Sequence, residues 1–248
     1  MNARPLGWLI TSMGLGAGAV LWEIAGRTVG AAFVAPLSET LPVAASPAVW
    51  RALGSSLALF GVGFGLSVVI GVPLGLLLAR MRLLRVALES YIAILNATPM
   101  AALIPFILSM MGFDFAPKVL VVFLFAVFPI LYNTVEGARS IRPELIEVAR
   151  SFRSTERALW RDVLLPFVLP FALTGIRQAI GRALVGMVAA EFFLSASGIG
   201  MTLQNAAQSF DTATVFAAIL LVTLLGVALM ELGGAIERRY AAWRNIRT

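Results

Sequence analysis

The chain alternates long uncharged runs with short charged breaks. Residues 5–22, 52–79, 90–113, 119–135 and 212–230 contain no Asp, Glu, Lys or Arg, and their lengths are 18, 28, 24, 17 and 19 residues. A membrane-crossing helix needs about 20 apolar residues, within a range of roughly 17–25, so each run predicts one span. A sixth is expected at about 170–193, inside the mostly apolar stretch 163–210. It carries Arg177, Arg182 and Glu191 at or near membrane depth, which lipid tolerates mainly inside a bundle or beside a water-filled path. The pattern therefore predicts an all-α polytopic membrane protein with six transmembrane helices. One segment breaks it: residues 136–162 hold 11 charged side chains in 27 positions.

Composition agrees with the pattern. Of 248 residues, 60% are hydrophobic and 13% charged, and the mean hydropathy is +0.92. Soluble domains are about a quarter charged. An ordinary cytosolic enzyme, a disordered chain and a nucleic-acid-binding domain are thereby disfavoured, despite a pI near 10.9. The nineteen cations, eighteen of them arginine, outnumber the thirteen carboxylates and lie between the apolar runs. With the N-terminus inside, fourteen arginines fall in inside segments, from Arg4 to Arg247, and only Arg27, Arg51 and Lys118 fall outside. The positive-inside rule then places both ends in the cytoplasm. The alternative for the N-terminus is a cleaved signal peptide ending among the small residues Ala31–Ala35; the charge alternation works best with the first span retained.

The chain has no cysteine and no histidine. Disulfides, thiolate nucleophiles, histidine metal sites and a Ser-His-Asp triad are excluded. The single lysine, Lys118, follows Pro117, so no phosphate-binding G-x-x-x-x-G-K-[ST] loop exists. If ATP is used, another chain binds it.

Within the spans, Gly61, Gly65, Gly71 and Gly75 give two G-x-x-x-G spacings, which let helix backbones approach closely. Pro73 predicts a kink. The run Asn96-Ala97-Thr98-Pro99-Met100, followed by Pro105, predicts an opened backbone mid-membrane. It is either a gate on a solute path or a packed, kinked helix. Arg182 and Glu191 lie nine residues apart, about 13–14 Å along a helix. An arginine near a path favours an anionic solute; the alternative, expected for Arg177, is ion pairing with other spans or arginines reaching the inner headgroups.

In the charged segment, Pro143 suits a first helical turn and Glu144 its positive end. Leu145, Ala149 and Phe152 then share one face. Ser154 is positioned to cap a second helix with Glu156 in its first turn. Leu159, Trp160, Val163 and Leu164 form its apolar side, and Pro166 should end it or turn it into the membrane. Two short helices with a bend near Phe152–Ser154 are expected. They could lie on the bilayer, but carboxylates at Glu144, Glu147, Glu156 and Asp162 alternate with the arginines, which suits a protein surface better.

This segment resembles a known family. Glu147-Val148-Ala149-Arg150-Ser151-Phe152-Arg153, followed by Val163-Leu164-Leu165-Pro166, is similar to the EAA loop of ABC importer permeases: E-A-A, three residues, G, nine residues, I-x-L-P. Val148 replaces the second-position Ala, and Arg153 replaces the Gly. Asn96 to Pro105, Phe128 to Thr134, and Ala189-Ala190-Glu191 with Ser197 to Gly200 resemble the nitrate/sulfonate/taurine branch. The likeness covers about residues 50–245.

The resemblance implies a type I ABC importer fold, with residues 1–248 forming one permease domain and 136–166 a cytoplasmic coupling loop. It implies a second membrane subunit, expected to be the same chain, two cytoplasmic ATPase subunits that bind ATP and Mg, and an extracytoplasmic solute-binding protein. No catalytic, cofactor or metal site is expected in this chain, and no nucleic acid as partner; its place is the bacterial inner membrane. Coupling is expected at Glu147, Ala149, Arg150, Ser151 and Phe152, with Arg153 and Ser154 after them. The path or gate is expected at Asn96, Thr98, Pro99, Met100, Arg182 and Glu191. The implied solute is a small anion such as a sulfonate, taurine or nitrate, although the branch also carries cyclic or heteroaromatic precursors. A self-sufficient secondary transporter would instead need coupling carboxylates or an internal repeat. Glu23, Glu191 and Glu231 are the candidates, and no repeat is evident. An intramembrane enzyme is disfavoured by the missing His and Cys.

Overall fold

The computed structural model describes residues 4–30, 33–194 and 197–241. Ala31, Ala32, Arg244 and Arg247 lie outside the described residues, as do the side chains of Arg4, Arg82 and Arg85. The described elements are all helical: α1 (Arg4–Val29), α2 (Leu37–Ala44), α3 (Pro47–Arg80), α4 (Arg82–Ala97), α5 (Met100–Met111), α6 (Phe115–Arg139), α7 (Pro143–Ser151), α8 (Glu156–Ala158), a π-helical segment (Leu159–Leu164), α9 (Leu165–Leu194), α10 (Ile199–Gln208) and α11 (Thr212–Ala241).

Among the described residues, four helices are long and apolar enough to cross a membrane: Pro47–Arg80, Phe115–Arg139, Glu156–Phe193 and Thr212–Arg239. The run 90–113 is not a straight span. It is the pair Val86–Ala97 and Met100–Met111, bent by 97°, and counts as a fifth span only if the two halves are taken together. The run 5–22 lies within α1. Among the described residues the expected count of six is therefore not reproduced exactly: four regular spans qualify, or five with the bent pair. The cause of the break is local. A residue before proline is pushed out of the helical region, and Thr98 accordingly adopts ψ 132 before Pro99. Pro105 does not break α5, and α3 runs unbroken through Pro73.

The helices fall into two compact units. The first comprises Met1–Ser56 with Ala196–Leu224. Gly26 of α1 lets the chain return closely, since a Cβ there would lie 2.6 Å from Pro36 Cα. Trp22 Nε1 donates to Ala35 O at 3.0 Å, and its ring lies 5.7 Å from that of Phe216. The first turn of α10 has no cap of its own, because Gly198 (φ 108) precedes it. Ser56 supplies the acceptor: its buried Oγ takes the Ile199 N–H at 2.8 Å.

The second unit comprises Leu57–Ser195 with Leu225–Thr248. Its centre is α6, where Val121, Val122, Ala126 and Ile130 are essentially inaccessible. Glycines set the helix spacing around it. On α3, Gly63, Gly71 and Gly75 face Val122, Ile130 and Thr134, and a Cβ at Gly63 would come within 2.6 Å of Val122 Cβ. Gly61 and Gly65 face nothing within 4 Å, so the first expected G-x-x-x-G pair is replaced by Gly63. The seam recurs at 63, 71 and 75, which keeps to one face of a helix with 3.6 residues per turn. Across α6 and α9, Gly137 meets Phe171, Gly175 meets Pro129 and Asn133, and Gly186 meets Phe125. The second half of the broken span is anchored here: Ile104 and Ile107 of α5 pack with Val121 and Ala190.

Candidate functional site

The break between α4 and α5 opens into a cavity of about 310 Å³. Asn96, Thr98 and Met100 line one wall; Leu124, Phe125 and Phe128 of α6 line another; Gly181, Arg182 and Val185 of α9 complete it. Arg182 Nη1 donates to Asn96 Oδ1 at 3.1 Å. Four sequence-predicted path residues, Asn96, Thr98, Met100 and Arg182, therefore meet around one space. Pro99 makes the corner but does not line it. Glu191 is buried on α9 (2% exposed), beside the core that holds α5, and is absent from the lining. Among the described residues, no carboxylate lines this cavity.

A second cavity of about 220 Å³ shares Asn96 and Phe128 with the first. Glu89 of α4 and Arg139 of α6 stand in its wall, joined at 3.3 Å, and Tyr132 lines it as well. Asn96 thus stands in the wall of both cavities. The Glu89–Arg139 pair escaped sequence reasoning because its members lie fifty residues apart.

The charged segment folds as two helices around a tight turn. In α7, Pro143 takes the first turn as expected. Leu145, Val148 and Phe152 are exposed at 37%, 54% and 82%, and their i, i+3, i+7 spacing makes one free apolar stripe. Glu147, Arg150, Ser151, Arg153 and Ser154 are exposed around it, and Ala149 is half-buried. The expected face of Leu145, Ala149 and Phe152 is thus corrected by one position: Val148, treated as a departure from the pattern, belongs to the stripe.

The turn after α7 is a Schellman motif. Arg153 N–H donates to Arg150 O at 2.8 Å, and Ser154 N–H to Ala149 O at 3.1 Å. Arg153 has φ 56, the left-handed conformation. Arg153 thus takes a conformation that is usually left to glycine. The next helix is capped by Thr155, not Ser154: Thr155 Oγ1 accepts from Ala158 N–H at 3.3 Å. Pro166 neither ends this helix nor turns it. The α8 helix, the π-helical segment and α9 follow one another directly. The wide turns end with Leu165 N–H bonded to Trp160 O, and Pro166, which has no N–H to lose, comes next. The sequence therefore continues from loop to membrane as one helix.

Residues 71–242 match the profile of the binding-protein-dependent transport system inner membrane component family. The chain belongs to this family. It is 33% identical over 184 residues to a Bacillus subtilis protein named as an aliphatic sulfonates transport permease, SsuC, covering 74% of this chain and 67% of the relative. The nitrate import permease protein NrtB of Leptolyngbya laminosa is 31% identical over 190 residues, or 77% of this chain and 68% of its own. The formylaminopyrimidine transport permease protein ThiX of Halalkalibacterium halodurans is 29% identical over 231 residues, or 91% and 92%. The fold matches a chain of the inward-facing MetNI methionine ABC transporter with a TM-score of 0.66 at 22% identity, covering 78% of this chain and 96% of that one.

The protein is accordingly a permease subunit of an ABC importer, a class that works with ATPase and solute-binding partners. Other charged groups of the permease fit structural roles. Arg177 Nη1 lies 3.4 Å from Glu237 Oε2, and Thr174 Oγ1 donates to Glu237 Oε1 at 2.6 Å, so α9 and α11 are tied by a satisfied polar cluster. Glu23 follows the first apolar run. It accepts from the Ser38 backbone N–H, from Arg27 and from Ser38 Oγ, which hold its carboxyl down to about 2.

Proposed function

We propose that this permease carries a small anion through the cavity at the α4–α5 break, driven by a separate ATPase seated on α7. The observation that carries the reading is Arg182. It faces a space of about 310 Å³, its partner there is the neutral amide of Asn96, and no carboxylate shares the lining. A cation that lines a cavity with no carboxylate among the described lining residues favours an anionic guest. A planar guanidinium also suits the paired oxygens of a sulfonate or nitrate. The names of SsuC and NrtB point the same way. A neutral heteroaromatic precursor is the second reading. It is favoured by the near-complete overlap with ThiX and by Phe125 and Phe128 in the lining.

The coupling reading rests on α7. Its exposed apolar stripe, with Glu147 and Arg150 beside it, has the mixed character of a docking surface. Glu147, Ala149, Arg150, Ser151, Phe152, Arg153 and Ser154 would sit in a groove of the ATPase, which binds ATP and Mg. Two copies of the chain would form the membrane core, fed by an extracytoplasmic binding protein, with both termini cytoplasmic. Alternating access then follows from contacts that differ between two states of the core. No bond is broken by this chain.

The test is uptake into proteoliposomes containing the complex purified from its native membrane. Taurine, methanesulfonate, nitrate and formylaminopyrimidine are the probes. Arg182→Gln should weaken anion uptake while the assembly persists. Equal uptake of an anion by the variant, or stimulation by formylaminopyrimidine alone, would refute the anion reading.

A further inference from the structure

We infer that Arg80 is a positioning residue: a brace that makes α3 follow the coupling loop. The inference rests on the coupling role proposed for that loop. Arg80 is the last residue of α3, a favourable place for a cation. Its Nη2 lies 2.7 Å from Glu156 Oε2, and its guanidinium carbon stands 6.0 Å over the Trp160 ring. Glu156 opens α8, where a carboxylate is favoured in turn. Glu156 and Trp160 are four residues apart and share a helix face, so one guanidinium is gripped twice from the same side.

The place of this grip gives it meaning. Glu156 lies in α8 and Trp160 in the π-helical segment, so Arg80 spans the boundary at which the helix widens. Such a segment, inserted in an α-helix, is frequent at functional sites. Apolar packing is incomplete at the same spot. A cavity of about 170 Å³ separates Leu76 and Ala79 of α3 from Ile146 and Arg150 of α7 and from Leu164. Across this gap the Arg80 contact links α3 directly to the loop. The ion-pair side chains are 42% and 59% exposed. A pair so exposed adds little to stability, so its loss should alter motion and leave the fold intact. Arginine suits the task, because it stays charged and offers both a donor fork and a flat face.

Spin labels introduced one at a time test this, since the chain has no native cysteine. Leu77→Cys reports on α3 and Arg157→Cys on α8; both positions are exposed. Spectra are recorded for the complex from its native membrane, in nanodiscs, without nucleotide and with ATP and vanadate. Both labels should respond to nucleotide in the otherwise native chain. Adding Arg80→Gln should abolish the response at 77 and keep the response at 157. Glu156→Gln, which breaks the link from the other side, should do the same. The exchange Arg80→Glu with Glu156→Arg should restore the response at 77. A response at 77 that survives both single variants, or is absent from the native chain, overturns the brace. Silence at 157 in the native chain overturns the coupling reading itself, and the two failures are distinguishable.

Discussion

Arg153 offers the sharpest physical test in the turn after α7. It holds φ 56 at the position after α7 where glycine is usual. For an L-residue the left-handed conformation costs about 1–2 kcal/mol, from Cβ against the following carbonyl. Arg153→Gly removes that cost but frees the unfolded chain, which returns roughly 0.5–1 kcal/mol. The net gain is about 0.5–1 kcal/mol, or a factor of about 2–5 in the closed-to-open ratio of the turn. The N–H groups that report this are named by the geometry: Arg153 to Arg150 O and Ser154 to Ala149 O. Hydrogen exchange with mass spectrometry on the purified permease should show peptides across 150–156 exchanging severalfold more slowly in Arg153→Gly. Arg153→Val should exchange faster, because a β-branched residue is a true outlier at positive φ. Unchanged exchange in the valine variant, or faster exchange in the glycine variant, would refute the left-handed turn.

Three further outcomes follow from the packing and the loop. Gly63→Ala drives a methyl into Val122 and should destabilise the permease by about 1–3 kcal/mol, whereas Gly61→Ala, facing nothing within 4 Å inside α3, should stabilise it by about 0.5–1 kcal/mol; thermal unfolding in one detergent compares them. Thr155→Ala removes the cap of α8 and should cost roughly 1 kcal/mol locally, read as faster exchange at Ala158. Glu147→Arg or Ala149→Trp should leave membrane insertion intact and reduce the ATPase that co-purifies; full recovery of the ATPase with both variants would remove the coupling assignment.

Much of the fold was legible because lipid imposes a single strong rule: apolar runs between charges. The four long helices obey it. The third run misled because an uncharged stretch says nothing about direction, and Pro99 turns the chain by 97° within it. The glycine seam was half legible. Spacing alone offers Gly61 with Gly65, but which face meets α6 is decided by tertiary packing, and Gly63 wins. Asn96 and Arg182 were each visible as misplaced polar groups in apolar runs, though not as partners, since 86 residues separate them. Arg80 was read only as an orientation charge, because its value lies in Glu156 and Trp160, far along the chain. Pro166 was over-read as a stop. A widened turn just before it removes the clash that would otherwise break the helix.

The unbroken helix from Glu156 to Leu194 also sets a length. Glu156 and Arg182 are 26 residues apart, about 39 Å at 1.5 Å per residue. An arm of that reach magnifies small rotations: a tilt of about 5° about its Glu156 end sweeps Arg182 through roughly 3 Å. The hydrogen bond to Asn96 is 3.1 Å long, so this sweep is enough to part the two side chains. A displacement at the loop too slight to reshape the bundle would still decide whether the guanidinium stays held by the amide or swings free of it.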